Sequence, residues 1–299
     1  MYYIVYGLLY TLSLLPLRVL YLLSDFAFVL MYLVFGYRKK VVMHNLSVAF
    51  PEKSEQERKK IAFQFYRQLT DTFIETIKLI SMSENEFKKR LTTNAEVIND
   101  IYASGQPVQL HSGHFFNWEF LNLGTAYNCN YPFLGIYHDV SNKTMDRIMR
   151  KMRSKFGTIL IPSHEFRHKF KSYTQQPYLL GLVADQSPSN PKQAYWIDFF
   201  GVKTAFVTGP EKGARQMNTA IVMANIYRKK RGYYHMQLSL LTKTPNDLPQ
   251  GSITESLVAF IEDAVKERPS NYLWSHKRWK FKYSDEYKDM VIERTNQPK

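Results

Sequence analysis

The 299-residue chain is long enough for one large α/β domain or two small ones, with a substantial buried core. Lys and Arg outnumber Asp and Glu 40 to 26, and the resulting +14 implies an anionic partner: nucleic acid, a membrane surface, or an acidic protein or substrate. The 21 Tyr and 20 Phe favour a membrane interface among these, and Cys129, the only cysteine, excludes an intrachain disulfide.

Residues 2–36 are apolar almost throughout, interrupted by Pro16, Arg18 and Asp25. The basic leader and small-residue cleavage site of a secretory signal are missing. The stretch exceeds the ~20 residues of one perpendicular span and is too broken for two. A two-span hairpin would put Arg18 and the Tyr37-Arg38-Lys39-Lys40 cluster on opposite sides, against the positive-inside tendency. Residues 1–40 are therefore expected to form one membrane anchor, spanning or lying partly in the interface, with the basic cluster on the cytoplasmic side. A buried hairpin of two core helices is the alternative. Beyond it, Ser54 and Glu57 form a capping box that opens a helix. Ile61, Phe65, Leu69, Phe73 and Ile77 give that helix an apolar stripe expected to face the core.

A short helix over about 95–103 ends near Gly105, and a strand from Pro107 to Leu110 runs into a His-Ser-Gly turn. Gly113 is read as the residue that permits the sharp change of direction there. His114 and Glu119 would lie about 140° apart on an unbroken helix. They can meet only if His114 sits on the turn and Glu119 on the first turn of the helix that follows. A histidine oriented by a carboxylate is the arrangement of a general base.

A strand over 132–137 leads to a helix over 142–156, with Met145, Ile148, Met149, Met152 and Phe156 inward. Lys143, Arg147, Arg150, Lys151, Arg153 and Lys155 crowd its other side, as a solvated basic face or as a dock for something acidic. The apolar run 177–184 suits a central strand and ends at Asp185-Gln186, where open α/β sheets place ligands. Strands over 219–227, ending in Arg228, and 233–241 follow, then an amphipathic helix over 253–266. An aromatic-basic segment, Tyr272 to Lys280, precedes a polar tail, 284–299.

Gly113-His114-Phe115-Phe116-Asn117-Trp118-Glu119 resembles the His-x4-Glu/Asp motif of the lysophospholipid acyltransferase superfamily, and most closely that of the bacterial lipid A late acyltransferases. Further blocks agree in order: Asn45-Leu-Ser-Val-Ala-Phe-Pro51, Asp185-Gln186-x-Pro188, Phe199-Phe200-Gly201, Thr208-Gly209-Pro210, and the Trp-x-x-His-x-Arg-Trp-Lys ending at Lys280. The resemblance covers roughly residues 40–281. It implies a single-domain α/β fold, a mixed, mostly parallel sheet flanked by helices as in glycerol-3-phosphate acyltransferases, over 41–283. It also implies transfer of a fatty acyl chain from an acyl carrier protein thioester to a hydroxyl of a lipid A precursor, at the cytoplasmic side of the bacterial inner membrane. His114 is then the base and Glu119 its orienting carboxylate. Asn117, Arg153, Asp185 and Arg228 are expected on substrate, and Arg147, Arg150 and Lys151 are candidates for docking the acidic carrier. No cofactor, metal or nucleic acid is expected.

Nothing in the chain argues for a covalent acyl-enzyme, because no Gly-x-Ser-x-Gly elbow is present and Cys129 lies outside the motif. The motif leaves the acceptor open, and a lysophospholipid or amino-acid-based lipid is the alternative. A different reading uses His111, His114 and Glu119 as zinc ligands. A non-catalytic tether or nucleic-acid binder is the remaining one.

Overall fold

A computed structural model describes residues 1–294. The chain opens with α1 (Tyr2–Leu14) and α2 (Leu17–Phe28), which continues through a wider helical turn, Val29–Val34. Next come α3 (Lys39–Ala49), α4 (Glu55–Ser81) and α5 (Glu84–Arg90). The α/β part runs β1 (Leu91–Thr93), α6 (Glu96–Tyr102), β2 (Val108–Ser112), α7 (Trp118–Asn128), β3 (Phe133–Tyr137), α8 (Lys143–Arg153), β4 (Ile159–Pro162), α9 (Phe166–Phe170) and β5 (Leu179–Val183). A hairpin, β6 (Ala194–Phe199) and β7 (Val202–Val207), precedes α10 (Gly209–Met217), β8 (Ala220–Lys230), β9 (Tyr233–Thr242) and α11 (Ser252–Glu267).

Seven strands form one sheet in the order β1-β9-β8-β2-β5-β3-β4, and β6-β7 pair separately. All neighbours in the large sheet are parallel except β8 and β9. The mostly parallel α/β architecture that the resemblance implies is therefore the one formed. β2 is buried along its whole length, as a central parallel strand covered on both faces must be. Its neighbours β5 and β8 run in register with it, Ser112 opposite both Val183 and Ala224. This register aligns the carboxyl ends of β2 and β5 at one edge of the sheet, while β8 runs on past them to Lys230.

The Ser54–Glu57 capping box is formed, with both reciprocal bonds. The stripe along α4 is only partly inward: Phe65 and Leu69 are buried, whereas Phe73 is 50% exposed. Five positions spaced by four residues drift about 40° per step on a 3.6-residue helix, so the end of such a row leaves the face it starts on. At Gly113 the backbone is not in the positive-φ region. The requirement there is space: a Cβ would lie 3.2 Å from both Ile261 Cγ1 and Phe115 Cζ.

Pro16 separates α1 from α2. The 18-residue helix Leu17–Val34 is long and apolar enough to cross a membrane, with 22% of it buried. One face of α2 is fixed on α4: Leu17, Leu20, Ser24 and Phe28 are buried. Ser24 Oγ donates to Asp71 Oδ1 at 2.7 Å and Tyr21 Oη to Glu75 Oε1 at 2.7 Å. Leu22, Phe26, Leu33 and Val34 remain exposed on the other side. The C-terminal segment expected to be a polar tail packs on the small hairpin as far as it is described. Tyr287 stacks on Trp196 with centroids 4.7 Å apart, and Arg294 Nη1 donates to Glu262 Oε2 at 2.7 Å. The rest of that tail, 295–299, lies outside the described residues.

Candidate active site

β2 delivers His114 two residues beyond Ser112, and β5 delivers Asp185 two residues beyond Val183; since Ser112 and Val183 are register partners, the two side chains emerge together. Asp185 Oδ1 lies 2.5 Å from His114 Nδ1, and Oδ2 accepts the His114 backbone N–H at 3.0 Å. The Asp185 side chain is 2% exposed and that of His114 23%. Burial by itself would raise the Asp185 pKa. The charge of His114, hydrogen bonds from its ring and backbone, and the Tyr272 hydroxyl outweigh that and hold the carboxyl well below its usual range. The carboxylate fixes Nδ1 as the protonated nitrogen, which leaves Nε2 outward as the basic one. Gln186 Nε2 sits 3.1 Å from it.

The segment 271–276 clamps this turn from the other side. Asn271 O accepts from Phe116 N at 3.2 Å, His114 O accepts from Leu273 N at 3.1 Å, and Phe115 bridges to Tyr272. Burial raises the pKa of the Tyr272 hydroxyl well above the ordinary value, so it stays a neutral donor beside Asp185. His276 Nε2 accepts the Ser187 N–H at 3.1 Å; burial, then the nearby Arg278 charge, push its pKa down to about 4. Arg278 is 2% exposed, its guanidinium lies 4.0 Å from the centre of the Phe206 ring, and its side-chain nitrogens make no hydrogen bond among the described residues. In the sequence this segment is visible as an aromatic-basic block and as the family's Trp-x-x-His-x-Arg-Trp-Lys ending; no spacing rule ties Tyr272 to Asp185.

Glu119 is engaged elsewhere than expected. Arg153 Nη2 donates to its Oε1 at 2.6 Å and Nε to its Oε2 at 3.0 Å, while Trp118 Nε1 donates to Oε1 at 3.0 Å. The carboxylate hydrogen-bonded to His114 is that of Asp185, and Glu119 instead latches the start of α7 to the end of α8. Asn117, expected on substrate, is fully buried as the N-cap of α7. Its Oδ1 accepts from Glu119 N at 3.2 Å, and its Nδ2 donates to Glu75 Oε2 at 3.1 Å. The position suits an N-cap, which meets the orphan amides of a helix start. Glu75 also accepts from Tyr21 of α2, so the N-terminal helices are tied to the frame of the site.

Arg228 does not reach His114's turn. It donates to Asp71 Oδ2 at 2.9 Å, next to Arg231, whose Nη2 meets Asp71 at 2.6 Å and Asp25 at 2.7 Å. On α8, Arg147, Arg150 and Lys151 are exposed. Arg147 stacks on the Tyr2 ring at 3.9 Å, Lys151 lies 4.3 Å from the centre of Tyr6, and Arg150 pairs with Asp146 at 3.0 Å. Two of the three cations are therefore already against α1. His111 points into the core beside Gln109 at 2.8 Å, and burial pushes its pKa down to about 4. The His111–His114–Glu119 ligand set does not converge, and no group of three His, Cys, Asp or Glu among the described residues is placed to hold a metal.

A buried carboxylate behind a partly exposed imidazole, at the carboxyl edge of a parallel sheet, is an arrangement that can take a proton from a hydroxyl. The family model for bacterial lipid A biosynthesis acyltransferases matches residues 1–281. The chain is 24% identical over 256 residues to the lipid A biosynthesis lauroyltransferase of Escherichia coli K12, covering 81% of this chain and 79% of that protein. It is 20% identical to the lipid A biosynthesis palmitoleoyltransferase of the same organism, over 81% and 79% of the two chains. It is 21% identical to a lipid A biosynthesis acyltransferase of Haemophilus influenzae, over 81% and 78%. The protein is an acyltransferase. It belongs to the bacterial lipid A biosynthesis acyltransferase family.

Proposed function

We propose that the protein transfers a fatty acyl chain from an acyl carrier protein thioester to a hydroxyl of a lipid A precursor, with His114 as general base and Asp185 as its orienting carboxylate. The reading rests on one observation above the others: in a chain of this family, His114 is gripped by Asp185 with Nε2 turned outward. The acceptor hydroxyl takes the place Gln186 now holds at Nε2 and gives its proton to that nitrogen as its oxygen attacks the thioester carbonyl. The tetrahedral oxyanion collapses, the carbon–sulfur bond breaks, and the imidazolium protonates the departing carrier thiolate. Proton transfer of this kind contributes typically about 10² to 10⁴ in rate. Asp185 opposes the positive charge that appears on the ring. Arg153 and Glu119 act as positioning residues that hold α8 against the motif.

The acceptor assignment is supported by the printed activities of the relatives, and the +14 charge suits both an acidic carrier and an anionic lipid. For location, the exposed apolar side of α1 and α2 supports seating the enzyme on the inner membrane with its basic surface toward the cytoplasm. The polar ties of α2 to Asp71 and Glu75 favour helices lying in the interface over a free span.

The test incubates membranes carrying wild type, His114→Ala or Asp185→Asn with labelled acyl carrier protein thioester and a tetra-acylated lipid A precursor. Loss of transfer in both variants, with the protein still folded in the membrane, is the expected result. Transfer by wild type to lysophospholipid alone would move the acceptor, and His114→Ala at wild-type rate would remove the base.

A further inference from the structure

A pocket of about 900 Å³ lies outside the His114 turn, between α4, the end of β8 and the helical turn that follows α2. Seven of its thirteen lining residues are basic and one, Asp71, is acidic. Arg228 and Arg231 both hold buried Asp71, and Arg231 also holds Asp25, so these guanidiniums are fixed in place. Asp71 and Asp25 together offset Arg228 and Arg231; the remaining basic lining, with exposed Lys60, Lys229 and Lys230, leaves the pocket positive. Arg231 spends its fork on Asp71 and Asp25, whereas Arg228 gives Nη1 to Asp71, so a phosphate group would meet Arg228 and the exposed lysines.

Two further observations select the ligand. Tyr32 and Phe63 line the same pocket, and Phe63 is 40% exposed, so the basic cleft adjoins the apolar surface of the N-terminal helices. A soluble phosphate has no use for that rim; a lipid places its headgroup and its chains on such a boundary. The pocket also abuts the frame of the active site. Ser270 lines it and precedes Asn271, which holds Phe116, and Asp71 lies one helical turn before Glu75, which holds Asn117. Arg228 lies four residues beyond Ala224, the register partner of Ser112, which is ~13 Å along the neighbouring strand.

We propose that this pocket receives a phosphorylated headgroup of the lipid acceptor and so aims the acceptor hydroxyl at His114. The inference rests on the proposed acyl transfer to lipid A. It adds a phosphate-reading site set off from the reacting atoms, built from α4 and the β8–β9 turn.

The test uses the full-length enzyme with Lys60→Glu and Lys229→Glu, two exposed positions away from the Asp71 network. Kinetics are measured with the phosphorylated tetra-acylated precursor and with its phosphatase-treated form. The expected result is a rise of about tenfold in KM for the phosphorylated acceptor with kcat retained, so that the wild-type preference for phosphate shrinks by the same factor. An equal change for both acceptors overturns the proposal. So does unchanged KM accompanied by weaker binding to phosphatidylglycerol vesicles, which makes the pocket a site for bulk membrane lipid. So does competition by millimolar inorganic phosphate that equals competition by the phosphorylated precursor. If wild type acylates neither acceptor, the proposed transfer falls. The pocket is then judged by binding alone, where wild type must prefer the phosphorylated precursor and the double variant must not.

Discussion

Asp185 holds His114 at two points, its Oδ1 at the ring Nδ1 and its Oδ2 at the backbone N–H of the same residue. A single carboxylate thus fixes both the tautomer of the imidazole and the position of the turn that carries it. An amide in its place keeps the shape and one acceptor but cannot oppose the imidazolium charge. Asp185→Asn is expected to lower kcat by about 10² to 10⁴ with KM little changed. Single-turnover transfer from labelled thioester measures this; a fall in KM affinity with kcat intact would assign Asp185 to substrate instead.

The Glu119–Arg153 latch makes a different prediction. Glu119 is 2% exposed on its side chain, so removing Arg153 strands a buried carboxylate. Arg153→Met is expected to destabilise by about 3 kcal/mol, and Glu119→Gln added to it to restore much of that loss. Thermal unfolding of the two single variants and the double variant gives the coupling. Activity should remain low in the double variant, because α8 is no longer drawn to the motif.

Acid sensitivity follows from two buried histidines. His111 and His276 are held neutral, each with its pKa pushed down to about 4 from an ordinary 6.5. Between those values the unfolded chain binds the protons that the folded chain refuses, so stability rises with pH across the window and is lost as pH falls through it. For His111, fully buried in β2, the loss amounts to about 3 kcal/mol; His276, partly open to solvent, contributes less. Asp185, with its pKa depressed, adds to the loss only at more acidic pH, below the usual carboxylate range. Melting of His111→Asn between pH 4 and 7 should show a shallower slope than wild type.

The proposed membrane attachment uses the outer side of α1, α2 and the helical turn that follows. Phe26 and Leu33 are 63% and 65% exposed and touch none of the polar ties to α4. Replacing both by Ser removes about 3 to 6 kcal/mol of apolar burial in a bilayer and should shift the protein toward the soluble fraction on flotation with vesicles. A variant that floats like wild type would place the attachment elsewhere.

Much of this was legible locally. The capping box at Ser54 and the inward face of α8 are set by contacts between near neighbours in the chain, which period and residue type report directly; β5 is central as expected but buried only at Leu179 and Leu180, with Val183 42% exposed. The motif around His114 was equally plain, as was the need for a carboxylate beside it. Phe73 was misplaced for the complementary reason: what covers a side chain depends on elements far away. Asn117 reads as a polar motif residue in one dimension; that its amide also donates to Glu75 of α4 is decided only by packing.

The chain by itself, through its resemblance to the family, pointed to an α/β acyltransferase, and residue type and spacing placed His114 just beyond the carboxyl end of a strand. The tertiary structure alone decided the partner of His114. Glu119 is five positions away, but the helix start turns it toward Arg153. Asp185 is 71 positions away, and the register of β2 against β5 brings it to the imidazole. Strand register is a property of two segments packed together, so no reading of either segment contains it.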